Sequence, residues 1–186
     1  KFLARVSGFT PGNVLLRREQ YRRADDVARS LAVARPIVAA KIANSRMVLL
    51  RALRDHPDRP GSDEVRHAVG RLQYEGRRVL EADGMDRLRG MEGEAASLYF
   101  GVFDRLIVAQ RDAFAFRTRS RRPPLDLVNA LLSFVYTLLA HDARAACEAA
   151  GLDPAVGYLH EERPGRPALA LDLMEELRAM LADRLV

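Results

Sequence analysis

The chain has 186 residues, of which 48% are hydrophobic, so it can bury a core of its own, and this excludes a disordered chain. Thirty lysines and arginines outnumber 25 acidic residues, and the net charge of +5, carried mostly by arginine, favours nucleic acid over a membrane as the partner. Cys147 is the only cysteine, which excludes an intrachain disulfide framework and a cysteine-rich zinc site and leads us to expect a reducing, cytoplasmic setting.

The start of the chain predicts a small β element. Residues 2–6 and 14–16 have the pattern of short strands, and the segment 7–13 between them is rich in Gly, Pro and Asn, which form turns. We expect this to be the end of a β domain whose other strands are absent. The helical pattern is still running at Val186, so we expect a piece of a longer protein.

A helical pattern begins at about Asp25. Apolar residues then recur mostly at spacings of three or four, at Val27, Leu31, Ala34, Val38, Ile42 and Leu49. Pro36 lies inside this run. Because proline has no amide hydrogen and clashes with the preceding turn, we expect it to kink or split the helix.

Two more helices are predicted in the middle of the chain. Ser62 is followed by two acids and predicts a helix start, with its hydroxyl capping free amides, and this helix should reach about Ala82. Asp83-Gly84 predicts a turn, followed by a helix over 85–111. Glu92 is then expected near the N-terminal end of that helix or at a flexible joint.

The remaining third of the chain predicts two helices joined by irregular segments. Residues 125–150 predict a long buried helix that Gly151 stops. Residues 152–159 predict a turn and a short strand, 161–167 a loop, and 168–185 an amphipathic helix. The predicted fold class is therefore mostly α, with a short β remnant at its start.

The last predicted helix carries a pair of acids. Asp172 and Glu175 are three residues apart, so their side chains lie on one helix face and can converge on one ion. Glu176 is a less suitable third member. The alternative is a solvated acidic face, which is a common feature of helices.

Two further candidates lie elsewhere in the chain. His160 ends an apolar stretch and suits either a ligand or a hydrogen-bonded structural role, and Glu92 begins an apolar helix in which Glu94 could equally be the functional acid. Periodicity does not show that Glu92, His160 and Glu175 meet in space. If they meet, one imidazole with carboxylates suits Mn²⁺ or Mg²⁺ better than Zn²⁺.

Two arginine clusters accompany these acids. The first lies in a loop with hydroxyl residues between the guanidinium groups, and the second follows the β remnant; their members are Arg117, Arg119, Arg121 and Arg122, and Arg17, Arg18, Arg22 and Arg23. Such groups suit contacts with backbone phosphates, which position nucleic acid without reading its sequence. Solubility alone is the alternative explanation for either cluster.

Four ordered blocks of the sequence carry a resemblance to a known family. They are residues 88–96, 119–133, 151–160 and 169–176. Over nearly its whole length the chain resembles the integrases of CRISPR adaptation, the family numbered first among the Cas proteins. The resemblance implies that residues 1–23 are the end of an N-terminal β domain and a linker. It also implies that residues 24–186 are an α-helical, metal-dependent catalytic domain that is incomplete at its C-terminal end.

The resemblance also assigns roles to individual residues. The family's catalytic metal ligands fall on Glu92, His160 and Glu175, with Asp172 as an auxiliary ligand and Mg²⁺ or Mn²⁺ as the ion. The implied reaction is attack of a DNA 3′-hydroxyl on a repeat phosphodiester, which inserts a spacer, while attack by water would give endonuclease cleavage. Arginines of both clusters would hold the DNA, namely Arg117, Arg119, Arg121, Arg122, Arg17 and Arg18.

The implied partners are DNA, as spacer precursor and repeat, a second copy of the chain, and the protein numbered second in the same system. A non-catalytic helical DNA-binding module is the main alternative. A folded but inactive assembly fragment is another.

Overall fold

The computed structural model describes residues 13–186 and is built almost entirely of helices, which confirms the predicted mostly α class. The described residues contain no β-strand. Their α-helices are α1 (Val14–Asp25), α2 (Val27–Asp55), α3 (Ser62–Arg78), α4 (Met85–Gly101), α5 (Leu127–Ala149) and α6 (Ala168–Leu177). Short 3₁₀ turns, Val79–Glu81 and Phe103–Leu106, follow α3 and α4, and a π-helical turn (Arg178–Ala182) and a 3₁₀ turn (Asp183–Leu185) follow α6.

Helix α2 lies at the centre of the fold and packs against α1, α3, α4 and α6. Asp26 caps its start, because the carboxylate accepts the backbone N–H groups of Ala28 and Arg29. Most of its predicted apolar positions are buried, namely Leu31, Ala34, Val38, Ile42 and Leu49, whereas Val27 is exposed. The helix is not split at Pro36, since Ala34 and Val38 on either side pack fully into the core.

The predicted strand at residues 14–16 is wrong, because these residues form the first turn of α1. The Asn13 side chain caps this turn by accepting the N–H of Leu16 at 3.2 Å, a local contact that favours helix over strand. The other predicted strand, residues 2–6, lies outside the described residues. The domain division after residue 23 stays a prediction.

Two details of α3 and α4 differ from the sequence-based expectation. The Ser62 hydroxyl does not cap α3; it donates to the Arg59 carbonyl at 2.8 Å, and Gly61 with φ of 93° takes the N-cap position. Helix α4 ends at Gly101, well before residue 111, because the chain turns there to bury Phe103. Glu92 therefore lies in the middle of a regular helix.

Helix α5 has sharply defined ends and an exposed apolar side. Asp126 caps its start by accepting the N–H of Asn129 at 2.7 Å, and Gly151, with φ of 80°, lets the next amide donate back to the Cys147 carbonyl. The expectation of a buried helix is wrong for Phe134 and Leu138, which are exposed. Residues 152–159 form a turn without the predicted strand. None of the helices within residues 13–186 combines the length and the hydropathy of a membrane crossing.

Candidate functional site

Two acids from distant parts of the sequence meet at one ammonium group. Glu92 projects from α4 and Glu175 from α6, and between them lies Lys41 of α2. The Lys41 ammonium contacts Glu92 Oε1 and lies 2.5 Å from Glu175 Oε2. Glu175 is buried, whereas Glu92 is partly open to solvent. The packing of α4 and α6 against α2 thus brings two carboxylates to one ammonium group.

His160 lies beside this centre and is held there by Asp172. The imidazole Nδ1 is 2.7 Å from Asp172 Oδ1, and its Nε2 is 3.7 Å from Glu175 Oε1. Because a carboxylate accepts the Nδ1 proton, Nε2 is the nitrogen left with a free lone pair. The ring is therefore oriented to offer Nε2 toward Glu175.

Asp172 also organises the turn that carries His160. This carboxylate is fully buried and accepts the backbone N–H groups of Tyr158, Leu159 and His160 at 2.6, 3.0 and 2.9 Å. Both of its oxygens are thereby engaged. These contacts favour an orienting role for Asp172 over the auxiliary ligand role that the resemblance implied.

A glycine allows this turn to approach α6 closely. A Cβ on Gly157 would lie 2.8 Å from the carbonyl carbon of Ala168 and 2.9 Å from Asp172 Oδ2, closer than such atoms approach. The first amides of α6 are also covered by the turn, since the N–H of Leu169 donates to the Pro154 carbonyl at 3.0 Å. The position of His160 thus depends on a turn that packs closely against the start of α6.

Gln20 of α1 fixes the same turn from the opposite side. Its side-chain nitrogen donates to the carbonyls of Asp153 and Val156 at 2.8 and 3.0 Å, and its side-chain oxygen accepts the Asp153 N–H at 2.8 Å. The Tyr21 hydroxyl adds a bond to the Asp153 carboxylate. The Gln20 side chain itself is only 2% exposed.

We expect Gln20→Ala to lower the free energy of unfolding by about 2 kcal/mol, because the three hydrogen bonds of this buried side chain are lost together. Urea unfolding monitored by circular dichroism measures this change. Gln73→Ala is the matched control, since Gln73 is exposed on α3 and should change stability by less than about 0.5 kcal/mol. Equal stability of the two variants would show that Gln20 does not hold the turn.

Arg178 completes the charge balance around Glu175. Its guanidinium lies 2.8 Å from Glu175 Oε1 and stacks on the Tyr136 ring at 5.0 Å. Burial alone would raise the pKa of the Glu175 carboxyl, but the charges of Arg178 and Lys41 outweigh it and hold the pKa below its usual value. Glu175 is therefore an anion at neutral pH, as a metal ligand must be.

A second buried acid, Asp183, lies on the far side of Tyr136. The Tyr136 hydroxyl donates to Asp183 Oδ1 at 2.6 Å. Burial raises the Asp183 pKa from 3.8 to about 6, although the hydrogen bond from Tyr136 and the charges of Arg178 and Arg119 oppose the rise. Tyr99 also faces this carboxyl.

This raised pKa makes the charge of Asp183 a cost to the folded state at neutral pH. The folded pKa of about 6 exceeds the reference 3.8, so the folded state binds the proton more tightly. The cost is present above pH 6 and disappears as the pH falls toward about 4.

We expect Asp183→Asn to be more stable than the wild type by about 2 kcal/mol at pH 8, with the difference shrinking by pH 4. Urea unfolding at several pH values measures this difference in the free energy of unfolding. If the free energies of the two proteins changed with pH in parallel, the assignment of the raised pKa to Asp183 would be contradicted.

An open cleft gives access to the candidate site. Its volume is about 280 Å³, and its walls are Arg89, Glu92, Leu159, His160, Glu161 and Arg166. The Arg89 Nε donates to the Leu159 carbonyl at 3.0 Å, which fixes this arginine at the wall. The cleft thus brings together two carboxylates, one imidazole and two guanidinium groups.

The donor types at the site, carboxylate oxygens and an imidazole nitrogen, suit a divalent ion, although Lys41 stands between the two carboxylates. Within residues 13–186, no three His, Cys, Asp or Glu side chains already have the spacing of a formed ion site. Glu175 Oε2 is buried, and the Lys41 ammonium lies close to it. The geometry of this ion pair is not that of a hydrogen bond, so the oxygen has no hydrogen-bond donor among these residues. Glu92, Glu175 and His160 Nε2 supply the mixed oxygen and nitrogen set that suits Mn²⁺ or Mg²⁺.

Comparison with known proteins decides the family. The family model described as CRISPR associated protein Cas1 matches residues 1–186. The chain belongs to the Cas1 family. The CRISPR-associated endonuclease Cas1 2 of Rhodospirillum rubrum is 58% identical over 192 residues, which cover 100% of this chain and 54% of that protein.

Solved structures share the fold. A chain of a partial Cas6-RT-Cas1–Cas2 complex has a TM-score of 0.80 at 30% identity, over 100% of this chain and 53% of that one. A casposase bound to integration product has a TM-score of 0.76 at 25% identity, over 92% of this chain and 46% of that one. The chain thus spans about half the length of the relatives it matches.

The arginine loop of this Cas1 chain is partly structural. Arg119 donates to Asn129 Oδ1 at 2.7 Å and stacks on the Tyr136 ring at 5.3 Å, and burial lowers its pKa. Arg121 and Arg122 are exposed and line a groove of about 350 Å³ together with Arg144 and Arg178. Arg119 therefore shapes the loop, and its exposed neighbours are better placed to bind phosphate.

The other predicted basic residues lie on surfaces. Arg117 is exposed in the loop, and Arg18 is exposed on α1, whereas Arg17 is half-buried. Their predicted contacts with DNA stay predictions. The arginines at positions 22 and 23 are ion-paired with Glu19.

Sequence reasoning missed Lys41, Arg178 and Gln20, which hold the candidate ligands of this Cas1 chain in place. One signal for Lys41 was available, because Lys1 and Lys41 are the only lysines of the chain. Glu94, the alternative functional acid, pairs instead with Arg71 on the exposed side of α4.

Proposed function

We propose that the intact protein is a metal-dependent DNA endonuclease and integrase of CRISPR adaptation, which inserts spacers by joining a DNA 3′-hydroxyl to a repeat phosphodiester. The observation that carries this proposal is that Glu92 and Glu175 meet at one ammonium group, with His160 Nε2 3.7 Å from the other oxygen of Glu175. Membership of the Cas1 family and the likeness to a casposase bound to integration product support it.

The reaction exchanges one ester for another. The 3′-oxygen forms a bond to the repeat phosphorus as the bond to the leaving oxygen breaks, the hydroxyl gives up its proton, and the leaving oxygen gains one. A Mg²⁺ or Mn²⁺ ion held by Glu92, Glu175 and His160 Nε2 would supply Lewis acidity and charge neutralisation at the phosphate. Water in place of the hydroxyl would give cleavage.

The protein's own residues prepare this centre. Asp172 holds the His160 ring so that Nε2 faces Glu175, and Arg178 keeps Glu175 ionised inside the fold. Arg89 and Arg166 line the cleft beside Glu92 and are placed to bind the phosphate oxygens of a strand that enters it. The groove with Arg121 and Arg122 would bind the flanking DNA.

The proposed partners are spacer-precursor and repeat DNA, a second copy of the chain, and the second protein of the adaptation system. The last is supported by the likeness to a chain from a structure named as a Cas1–Cas2 complex. The high proportion of arginine supports DNA binding through phosphate contacts, which should weaken steeply with added salt.

A strand-transfer assay tests the proposed function. The intact protein is incubated with a duplex bearing free 3′ ends and a repeat-containing plasmid, with Mg²⁺, Mn²⁺ or EDTA. We expect joined product with either ion and none with EDTA. DNA binding without scission under every condition, even after the second adaptation protein is added, would overturn the enzyme assignment in favour of a non-catalytic DNA-binding module.

A further inference from the structure

The cation inside the candidate site is a lysine in a chain that otherwise uses arginine. Lys1 and Lys41 are the only lysines among 30 basic residues. The Lys41 side chain is 12% exposed, and its ammonium contacts both Glu92 and Glu175. One of the two lysines of the chain thus lies where two candidate metal ligands meet.

The chemistry of the ammonium group explains this choice of residue. An ammonium is a compact point charge, whereas a guanidinium is a planar fork that favours two parallel bonds to one carboxylate. A compact cation can sit between two carboxylate oxygens in the manner of a small metal ion. Arg178, by contrast, binds Glu175 through the other oxygen, Oε1, and leaves Oε2 to Lys41.

The oxygens that Lys41 covers are those a metal ion would need. Its two contacts are with Glu92 Oε1 and Glu175 Oε2, the facing oxygens of the two carboxylates. Glu175 Oε2 accepts no hydrogen bond of regular geometry, so the ammonium is its one close partner among the described residues. An ion that takes this position must move the ammonium away.

We propose that Lys41 is a built-in counter-ion of the site, which a divalent ion must displace in order to bind. This inference rests on the proposed function, because it takes Glu92 and Glu175 as ligands. In the metal-free protein Lys41 balances the two carboxylates and keeps α2, α4 and α6 together. In the metal-bound protein its ammonium is released, and the affinity for the ion is lower than the ligands alone would give.

Chemical labelling of the wild-type protein tests the displacement directly. The intact protein is treated briefly with an amine-acetylating reagent at fixed pH, with and without Mg²⁺, and acetylation of Lys41 is measured by peptide mass spectrometry. We expect Mg²⁺ to increase the rate of Lys41 acetylation several-fold. A lysine-containing peptide added to the reaction serves as the internal reference, and its acetylation rate should not change.

The affinity for Mn²⁺ provides a second test of the displacement of Lys41. We expect Lys41→Gln to bind Mn²⁺ roughly tenfold more tightly than the wild type in equilibrium dialysis, because no ammonium has to be displaced. Lys41→Arg keeps the charge and should bind no more tightly than the wild type. Arg71→Gln is the matched control, because it removes a positive charge from an exposed ion pair with Glu94, and its affinity should equal that of the wild type.

The outcomes separate this inference from the proposed function. Mn²⁺ binding that requires His160, combined with unchanged Lys41 acetylation, would overturn the counter-ion role and leave the metal site standing. No Mn²⁺ binding by the wild type or Lys41→Gln, or binding that survives His160→Ala, would overturn the metal site itself. If Lys41→Gln fails to fold, the labelling of the wild-type protein alone decides whether the ion displaces the Lys41 ammonium.

Discussion

His160→Ala should reduce metal-dependent strand transfer by more than roughly 100-fold, because even the residues that support a metal ligand are typically worth about 10- to 100-fold. The imidazole is the one nitrogen donor at the candidate centre, and its Nε2 faces Glu175 at 3.7 Å. Salt-sensitive DNA binding should remain nearly unchanged, since the exposed arginines lie elsewhere. A gel-based joining assay and a fluorescence-anisotropy DNA titration measure the two properties separately.

His67→Ala is the matched control for this experiment. His67 is exposed on α3, away from the cleft, so its loss should leave both joining and DNA binding at the wild-type level. If His160→Ala lost DNA binding and joining to the same extent, His160 would be a structural residue. Joining at the wild-type rate would remove it from the site.

Asp172→Asn should cause the largest loss of stability, about 3 kcal/mol in the free energy of unfolding. The carboxylate is fully buried and accepts three backbone N–H groups and the His160 ring. An asparagine amide has the same shape, but its NH₂ group would face donors and leave some of them without an acceptor. Urea unfolding measures the loss.

The same substitution should also weaken the metal site. Without the carboxylate, His160 loses the partner that fixes its ring, and we expect Mn²⁺ affinity to fall by roughly 10- to 100-fold. Asp112→Asn is the control, because Asp112 is exposed and its substitution should be nearly neutral. A folded Asp172→Asn variant with unchanged stability and affinity would refute the orienting role.

The sequence predicted best the end of α5 and the buried side of α2. Gly151 stops α5 as predicted, and the apolar spacing located the buried side of α2, whereas the Asp126 cap, which was not predicted, starts α5 two residues after the expected residue 125. The strand expected at residues 14–16 failed because three apolar residues in succession fit either structure, and the Asn13 cap selects the helix. The end of α4 was predicted wrongly because it depends on the burial of Phe103. Apolar periodicity gives no information about such a tertiary contact.

The candidate site was predictable only in part for a similar reason. The blocks around Glu92, His160 and Glu175 carry the family resemblance, and the structure brings these residues to one centre. Lys41 belongs to none of the four blocks, and its role depends on how α2 packs against α4 and α6. The orienting role of Asp172 likewise arises from a turn packed on α6, which helical spacing alone does not describe.

The most direct test of a metal-binding centre is an anomalous diffraction measurement on crystals of the intact protein soaked in Mn²⁺. We predict one anomalous peak within about 2.0 to 2.6 Å of carboxylate oxygens of Glu92 and Glu175 and of His160 Nε2. The same maps should show the Lys41 ammonium moved from its position between the two acids. A well-ordered site with no peak, and with Lys41 still between Glu92 and Glu175 at saturating Mn²⁺, would contradict the account.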